Sequence, residues 1–507
     1  MRLAAVTAIV FVVAAASSAA AAPFRNGVAA GDVTRTTAIL WAQGTAAGPV
    51  RAEVLRGGRV VQRRIARATR ASDLTVRVVA RGLRAGARYT YRFRQGRWTS
   101  ATGAFRTAPP AASGATVEFA ISGDADGTPV RPGGPPFFNR FEVYTAMVDE
   151  NNAFNVNYGD TIYSDSGVGG NLVARTVAQK WTKYKQNLAL APLRDLRRTA
   201  GVYFGWDDHE FINDFSRAEH GEDLYAAGRK AFLDYSPSAY SSRVGLYRSF
   251  RWGRHLELFI LDGRSFRSAK ASAGGVCNTG ASPDLAPTAP QAVRNAFASL
   301  APGLAQPVSP ACLAVIRDPS RTFLGAAQYA AFTSAIARST ATFKIVVNPT
   351  PLQQFYALPY DRWEGYEAER TRLVEFLRTN VRNVLLLTTD THANLVGDVR
   401  VRTFEPPGPL DSGITEVITG PVATNTYAKE VDEELGATGV GQAIGALFLK
   451  PPLPRGIGMR CVALDVYSYA QLRVTASQVT VHLKDANGQP VMDVSGEPCA
   501  PVVLSRR

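Results

Sequence analysis

Apolar positions along the chain fall into two regimes. Between residues 24 and 110 they come in short stretches. Residues 37–41 are a compact strand candidate, and 74–78 and 89–93 alternate apolar with polar side chains at a period of two. Arg56-Gly57-Gly58 and Arg84-Ala85-Gly86 supply turn signals, and several short strands at this spacing predict a small β-sandwich over 24–110. Pro109-Pro110-Ala111-Ala112-Ser113-Gly114 is a linker by composition. Beyond it come unbroken apolar runs of strand length, at 117–121, 154–158, 202–204, 256–261, 343–347, 384–387 and 417–418. Longer amphipathic stretches, notably 140–150 and 364–378, lie between some of them, which predicts an α/β layered core over 115–507. Residues 471–483 return to β alternation, and no internal repeat is found.

The first residues change the picture of where the protein works. Met1-Arg2, an apolar run over 4–16 and small residues up to Ala22 have the three-part layout of a secretory signal peptide, residues 1–22. The apolar run is too short to span a bilayer, which needs about 20 residues. An exported protein, periplasmic or secreted and without a transmembrane segment, is the expectation. With no Arg-Arg pair near the start, the general secretory route is expected. Export makes the four cysteines candidates for disulfides, and of the three pairings two local bridges, Cys277–Cys312 and Cys461–Cys499, are the simplest. No C-x-x-C motif suggests a thiolate metal site. Over 507 residues, 46% apolar and 20% charged, the composition excludes a disordered, collagen-like or coiled-coil chain. The net charge of +15, mostly arginine, favours anionic partners. No clustered Lys/Arg stripe with interleaved aromatics is seen, so specific nucleic-acid recognition is not expected.

Several predicted strands stop at a metal-capable residue. One runs into Ser122-Gly123-Asp124, another into Gly159-Asp160-Thr161-Ile162-Tyr163. A third meets Trp206-Asp207-Asp208-His209-Glu210, and a fourth Thr388-Thr389-Asp390-Thr391-His392. A lone Gly-Asp after a strand is ordinarily a turn or a helix cap, and Asp-Asp-His-Glu alone could be a solvated turn. Together, however, four such ends would crowd carboxylates into the crevice beyond the strand C-termini. Like charges that close raise one another's pKa unless cations neutralise them. A metal pair is the economical neutraliser, and two cations about 3.5–4 Å apart form the usual clamp for phosphoryl hydrolysis. Two of the five histidines fall inside these motifs; His220, His255 and His482 are read as surface or structural residues.

At these residues the chain resembles the alkaline phosphatase D (PhoD-like) branch of the calcineurin-type metallophosphatases. The resemblance covers nearly the whole chain after the signal peptide. Besides the strand-end motifs it rests on Gly31-Asp32-Val33 to Trp41, Leu261-Asp262-Gly263-Arg264-Ser265-Phe266-Arg267 and Leu324-Gly325-x-x-Gln328 with Lys344-Ile345-Val346-Val347-Asn348. Trp363-Glu364-Gly365-Tyr366-x-x-Glu369-Arg370 completes the series, and Leu83-x-x-Gly86-x-x-Tyr89-x-Tyr91 looks like part of a fibronectin type III module. The resemblance implies a four-layer αββα core behind a fibronectin type III-like sandwich, with a dinuclear site acting on phosphomonoesters, phosphodiesters or both. By position, Asp160 would bridge two metals, Tyr163 would supply a phenolate to Fe³⁺, and Asp390 and His392 would close the site. Asp208 would be a ligand with Asp207 its rival, and His209 would steady or protonate the leaving oxygen. Family members with iron and calcium carry a Cys at the end of the first core strand; here Asp124 is expected to take that ligand role, with Asp126 the spare. Ca²⁺ and Fe³⁺ are implied by resemblance; a carboxylate is harder than a thiolate, which keeps oxygen-preferring Ca²⁺, Mn²⁺ and Fe³⁺ all open, with Zn²⁺ a further alternative.

The mechanism so implied is in-line attack of a metal-bound hydroxide on phosphorus, since coordination lowers the pKa of bound water to about 7. His209 acts as general acid. Arg264 and Asn348 are expected phosphate contacts, with an ion pair to Asp262 and a turn start as their respective alternatives. A phosphate ester is the expected substrate and a monomer the expected state. Two rival readings are a dedicated phosphodiesterase of phospholipase D type, discriminating through loops such as 268–321, and a non-catalytic polyanion-binding member that kept the fold.

Overall fold

The computed structural model describes residues 24–507, so the signal-peptide reading of 1–22 lies outside the described residues. Eight strands come first: β1 (Val28–Gly31), β2 (Ala38–Gln43), β3 (Gly48–Arg56), β4 (Arg59–Ala68), β5 (Thr75–Ala80), β6 (Arg88–Gln95), β7 (Trp98–Thr99) and β8 (Gly103–Arg106). The three expected strands are β2, β5 and β6. Gly57 and Gly58 join β3 to β4 with φ of 55° and 77°, the conformation that a two-residue hairpin loop requires. One layer runs in the order β4-β3-β6-β7, with β8 also on β6. Its inner residues Val50, Val54, Tyr91 and Phe93 pack on Leu40, Val76 and Val78 of the layer formed by β1, β2 and β5.

The core strands are β9 (Val117–Ser122), β10 (Phe154–Tyr158), β11 (Gly201–Gly205), β12 (Arg248–Trp252), β13 (Leu256–Ile260), the short pair β14 (Asn278–Thr279) and β15 (Ser282–Pro283), β16 (Phe343–Asn348), β17 (Val384–Thr388), β18 (Asn394–Arg402), β19 (Leu410–Ile418), β20 (Cys461–Ala463), β21 (Ser468–Val474), β22 (Gln478–Asp485) and β23 (Val502–Ser505). One sheet has the order β23-β22-β21-β9-β10-β11-β1-β2-β5, the other β12-β13-β16-β17-β19-β18-β20. The N-terminal layer is therefore a prolongation of a core sheet. β1 lies parallel to β11, with Ala30 opposite Gly201 and Gly31 opposite Val202.

The unbroken apolar runs follow from burial on both faces. Ile121, Val156, Ile345, Val347, Leu385 and Leu387 meet between the two sheets. Their neighbours turn outward: Ala120 and Phe204 lie under helices Glu142–Asp149, Val177–Leu188, Ala191–Thr199 and Glu222–Tyr235. Val346 and Leu386 lie under Ala326–Arg338 and Glu367–Asn380. Four layers, αββα, result, with the sandwich-like region in front, as the resemblance implied. Cys277 is bonded to Cys312 and Cys461 to Cys499, the two local bridges expected. No described helix is long and apolar enough to cross a membrane.

Candidate metal centre

β9, β10 and β11 end side by side, and β17 ends on the facing sheet. Each then turns sharply. Asp124, Asp160, Asp390 and His392 all take left-handed φ, at 61°, 48°, 65° and 52°. Such conformations in non-glycine residues carry about 1–3 kcal/mol of strain each and persist only where the surroundings impose them. Here the loops are stitched together: Gly159 N donates to Gly205 O, Asp124 N to Gly159 O and Ala125 N to Asp160 O. Gly123 must be glycine, because a Cβ there would stand 1.9 Å from the Tyr158 carbonyl oxygen.

The loops bring three groups of metal-capable atoms together. Ligand atoms of Asp124, Asp160 and His392 lie within 4.8 Å of one another, as do those of Asp160, Asp208 and His209, and those of Asp207, Asp208 and Asp390. Asp160 is common to the first two groups and Asp208 to the last two. Tyr163 Oη stands 3.0 Å from His392 Nε2, whose other ring nitrogen is 2.7 Å from Glu430 Oε1. His209 Nδ1 is 2.6 Å from Asp165 Oδ1, and its ring stacks on Tyr163 at 4.1 Å. His209 Nε2 is thereby left facing Asp160 Oδ2 at 4.0 Å.

Burial dominates the electrostatics. It raises Asp124 to about 7 and lifts Asp160 and Asp390 well above the carboxylate range, with neighbouring aspartates adding repulsion. Burial would also raise Asp208, but Arg264 and His209 outweigh it and hold this acid low. Burial would lower His209, but Asp160, Asp208 and Asp165 together push it well above the usual imidazole value. So many carboxylates ionise together only beside cations. Asp124 Oδ2 and Asp208 Oδ1 are, moreover, buried without a hydrogen-bond partner among the described residues. Orphaned buried acceptors of this kind fit metal ligation, and the donor set is mainly oxygen with two imidazoles.

Three expected roles change. Arg264, fully buried, spends its guanidinium on Asp207 (Nε to Oδ1 2.5 Å, Nη2 to Oδ2 3.0 Å) and on Asp361 (2.7 Å). It is an internal brace rather than a phosphate contact, and its partner is Asp207 rather than Asp262. Asp207 is held by Arg264 at both oxygens, whereas Asp208 Oδ1 has no hydrogen-bond partner among the described residues. Asn348 is also internal: its amide donates to Thr350 O and accepts from the Trp363 indole at 3.1 Å. The spare Asp126 is occupied by Ser166 Oγ and Thr128 N. Sequence reasoning missed Asp165, Asp361 and Glu430, and assigned no role to Glu210. The Glu210 carboxylate accepts from Thr161 N at 2.6 Å and from Asp207 N at 2.9 Å, locking two of the loops together. Asp165, two residues past Tyr163, was within sight of a motif; Glu430 carried no signal.

A four-layer αββα core whose strand ends converge on buried acids and two histidines defines the metallophosphatase class. Within that class, the family described as PhoD-like phosphatase matches residues 134–447, and its N-terminal domain matches 11–109; the chain belongs to the PhoD-like phosphatase family. Alkaline phosphatase D of Bacillus subtilis (strain 168) is 25% identical over 427 residues, which cover 75% of this chain. The match takes in 66% of that relative, so the chain spans just under two thirds of its length. The solved structure of PhoD aligns over 96% of this chain and 89% of that one, with a TM-score of 0.70 at 20% identity. Purple acid phosphatase PPD1 from yellow lupin (Lupinus luteus) seeds aligns over 96% and 74%, with a TM-score of 0.57 at 12% identity. At these identities the two structures speak for the fold.

Proposed function

We propose that the chain is an exported, metal-dependent phosphoric ester hydrolase acting on a phosphomonoester or phosphodiester. The observation that carries this reading is Asp160, shared between two ligand groups and flanked by the orphaned oxygens of Asp124 and Asp208. Asp124, Tyr163 and His392 would hold one ion, Asp208 and Asp390 another, and Asp160 both. Hard, oxygen-preferring cations such as Ca²⁺, Mn²⁺ or Fe³⁺ suit this set. When bound, they supply an activated water and neutralise the ester's oxygens.

The chain's own residues arrange the rest. Asp165 fixes the His209 ring through Nδ1 and the Tyr163 ring covers one face, so Nε2 is the atom that presents a proton to the leaving oxygen. Asp165, which is left outside the ligand set, favours the protonated form of that ring. Arg264 holds Asp207 at both oxygens and lies 3.7 Å from Asp208 Oδ2, leaving Asp208 Oδ1 without a partner among the described residues. The two disulfides support an oxidising compartment, the periplasm or the exterior. In this reading residues 115–507 carry the chemistry and 24–110 do not.

The test is paired: metal content of the purified chain, then hydrolysis of p-nitrophenyl phosphate and bis-p-nitrophenyl phosphate before and after chelation. About two metals per chain and chelator-sensitive turnover are expected. A preference for the diester would assign the dedicated phosphodiesterase. No metal and no turnover, even with Ca²⁺, Mn²⁺ or Fe³⁺ added, would leave a chain with the fold alone.

A further inference from the structure

The positive charge of this chain has one address. Residues 24–110 hold 17 arginines and three acids, a net of +14 out of +15, whereas residues 111–507 carry 39 basic and 39 acidic side chains. Much of the excess lies on one face of the β4-β3-β6-β7 layer. The register sets Arg51 opposite both Ile65 and Arg94, Glu53 opposite Arg63 and Arg92, and Arg88 opposite Arg106. These positions alternate with Ala52, Tyr91 and Phe93, which are buried inside the sandwich, so they face outward. Arg67 follows on the same side of β4. Glu53 is the only acid on this face, and it is buried beneath Arg92 at 2.8 Å and Arg63 at 3.7 Å. The region's other acids, Asp32 and Asp73, pair elsewhere with Arg248 and Lys185.

This arrangement works against the sheet's own stability. Like charges directly across two strands are destabilising, and Arg51–Arg94 and Arg88–Arg106 are two such pairs. Protection of an open edge explains charge on β4, the edge strand. It does not explain arginines on β3 and β6, which have neighbours on both sides. A counter-anion would relieve the repulsion. Ile65, 71% exposed, stands among Arg51, Arg63 and Arg67, and the outward positions of β3, β4 and β6 offer no aromatic ring on which a base could stack. The array is two-dimensional, extending across strands as well as along them, so its complement is an anionic plane rather than a single polyanion strand.

We infer that this sheet face docks the chain on an anionic phospholipid bilayer, guanidinium groups against lipid phosphates and Ile65 at the acyl boundary. The inference does not depend on the chemistry of the metal centre.

The test is sedimentation of the purified chain with vesicles of phosphatidylcholine, with and without phosphatidylglycerol, at low and physiological salt. Binding should require phosphatidylglycerol and weaken with salt. Each arginine near such a surface contributes about fivefold, so R51Q/R67Q/R94Q should bind about a hundredfold more weakly. R81Q/R84Q/R97Q removes the same charge from exposed turns off this face and should keep most of the binding. Ile65→Ser should loosen vesicle binding but not binding to heparin. Matched thermal melts establish that the variants fold. Equal binding to neutral vesicles, or equal losses in the two triple variants, would overturn the inference. Tighter capture by heparin or duplex DNA than by phosphatidylglycerol vesicles at the same salt would also overturn it, replacing the membrane with a soluble polyanion.

Discussion

Replacing Asp165 by Asn removes a charge beside the proposed proton donor together with one of two hydrogen bonds. One carboxylate oxygen lies 2.6 Å from His209 Nδ1 and the other accepts from Asn213 N, also at 2.6 Å. An amide can accept at only one of these ends, so one donor loses its partner, a loss of about 1–3 kcal/mol where the group is buried. A carboxylate that orients a site histidine is worth about 10–100-fold in activity. Removing a general acid outright costs about 10²–10⁴-fold. Asp165→Asn should therefore lower kcat about 10–100-fold with KM little changed, and His209→Ala should lower it further. Because the two act as a unit, the double variant should be no slower than His209→Ala alone. Burial lowers the His209 pKa while Asp160, Asp208 and Asp165 raise it, so losing Asp165 should move the alkaline limb of the pH profile to lower pH. The decisive assay compares phenyl phosphate with p-nitrophenyl phosphate at matched metal content. Phenol is the poorer leaving group and needs the proton more, so its ester should suffer the larger loss. Equal losses for both esters, with an unmoved alkaline limb, would refute the acid role and leave Asp165 as a loop brace.

Three further outcomes follow from other contacts. Arg264→Met strands buried Asp207 without its cation, whereas Asp361 keeps Arg267 at 3.0 Å; breaking such a buried pair should lower stability by about 3–5 kcal/mol. An unshifted urea midpoint would show that the brace contributes nothing. Gly123→Ala forces a methyl group against the Tyr158 carbonyl and should displace Asp124, so bound metal should fall while far-ultraviolet circular dichroism is kept. Unchanged metal content would dissociate the turn from the site. Tyr163→Phe should abolish any visible absorption band that Fe³⁺ loading produces, and a band that survives would exclude the phenol as a ligand.

The strand-end acids were legible because each motif is local: a buried strand, a sharp turn and a carboxylate lie within a few residues. What holds those acids was not. Arg264 sits two residues from Asp262, which made that pair look natural, yet its guanidinium reaches Asp207, brought alongside by the meeting of two sheets. Glu430 arrives on a helix whose sequence shows only amphipathic charge. The arginine face was hidden for a related reason. Along the chain, Arg51, Arg92 and Arg94 alternate with apolar residues, as any half-buried strand would, and their clustering exists only across strands. The continuity of β1 with β11 left no trace either, since parallel pairing between distant segments imposes no pattern on either one.

That continuity bears on how the molecule is made. A chain emerging from its amino terminus presents β1 long before residue 201 exists to pair with Ala30. Until then one layer of the sandwich carries a bare edge, the kind of surface that recruits strands from other chains. The first described strand is thus finished only after β10 and β11 have been made, and its completion reports that Phe154–Tyr158 and Gly201–Gly205 have arrived in place. A fragment ending near residue 110 should for the same reason be prone to self-association, its unfinished side seeking from a second copy what β11 provides within one.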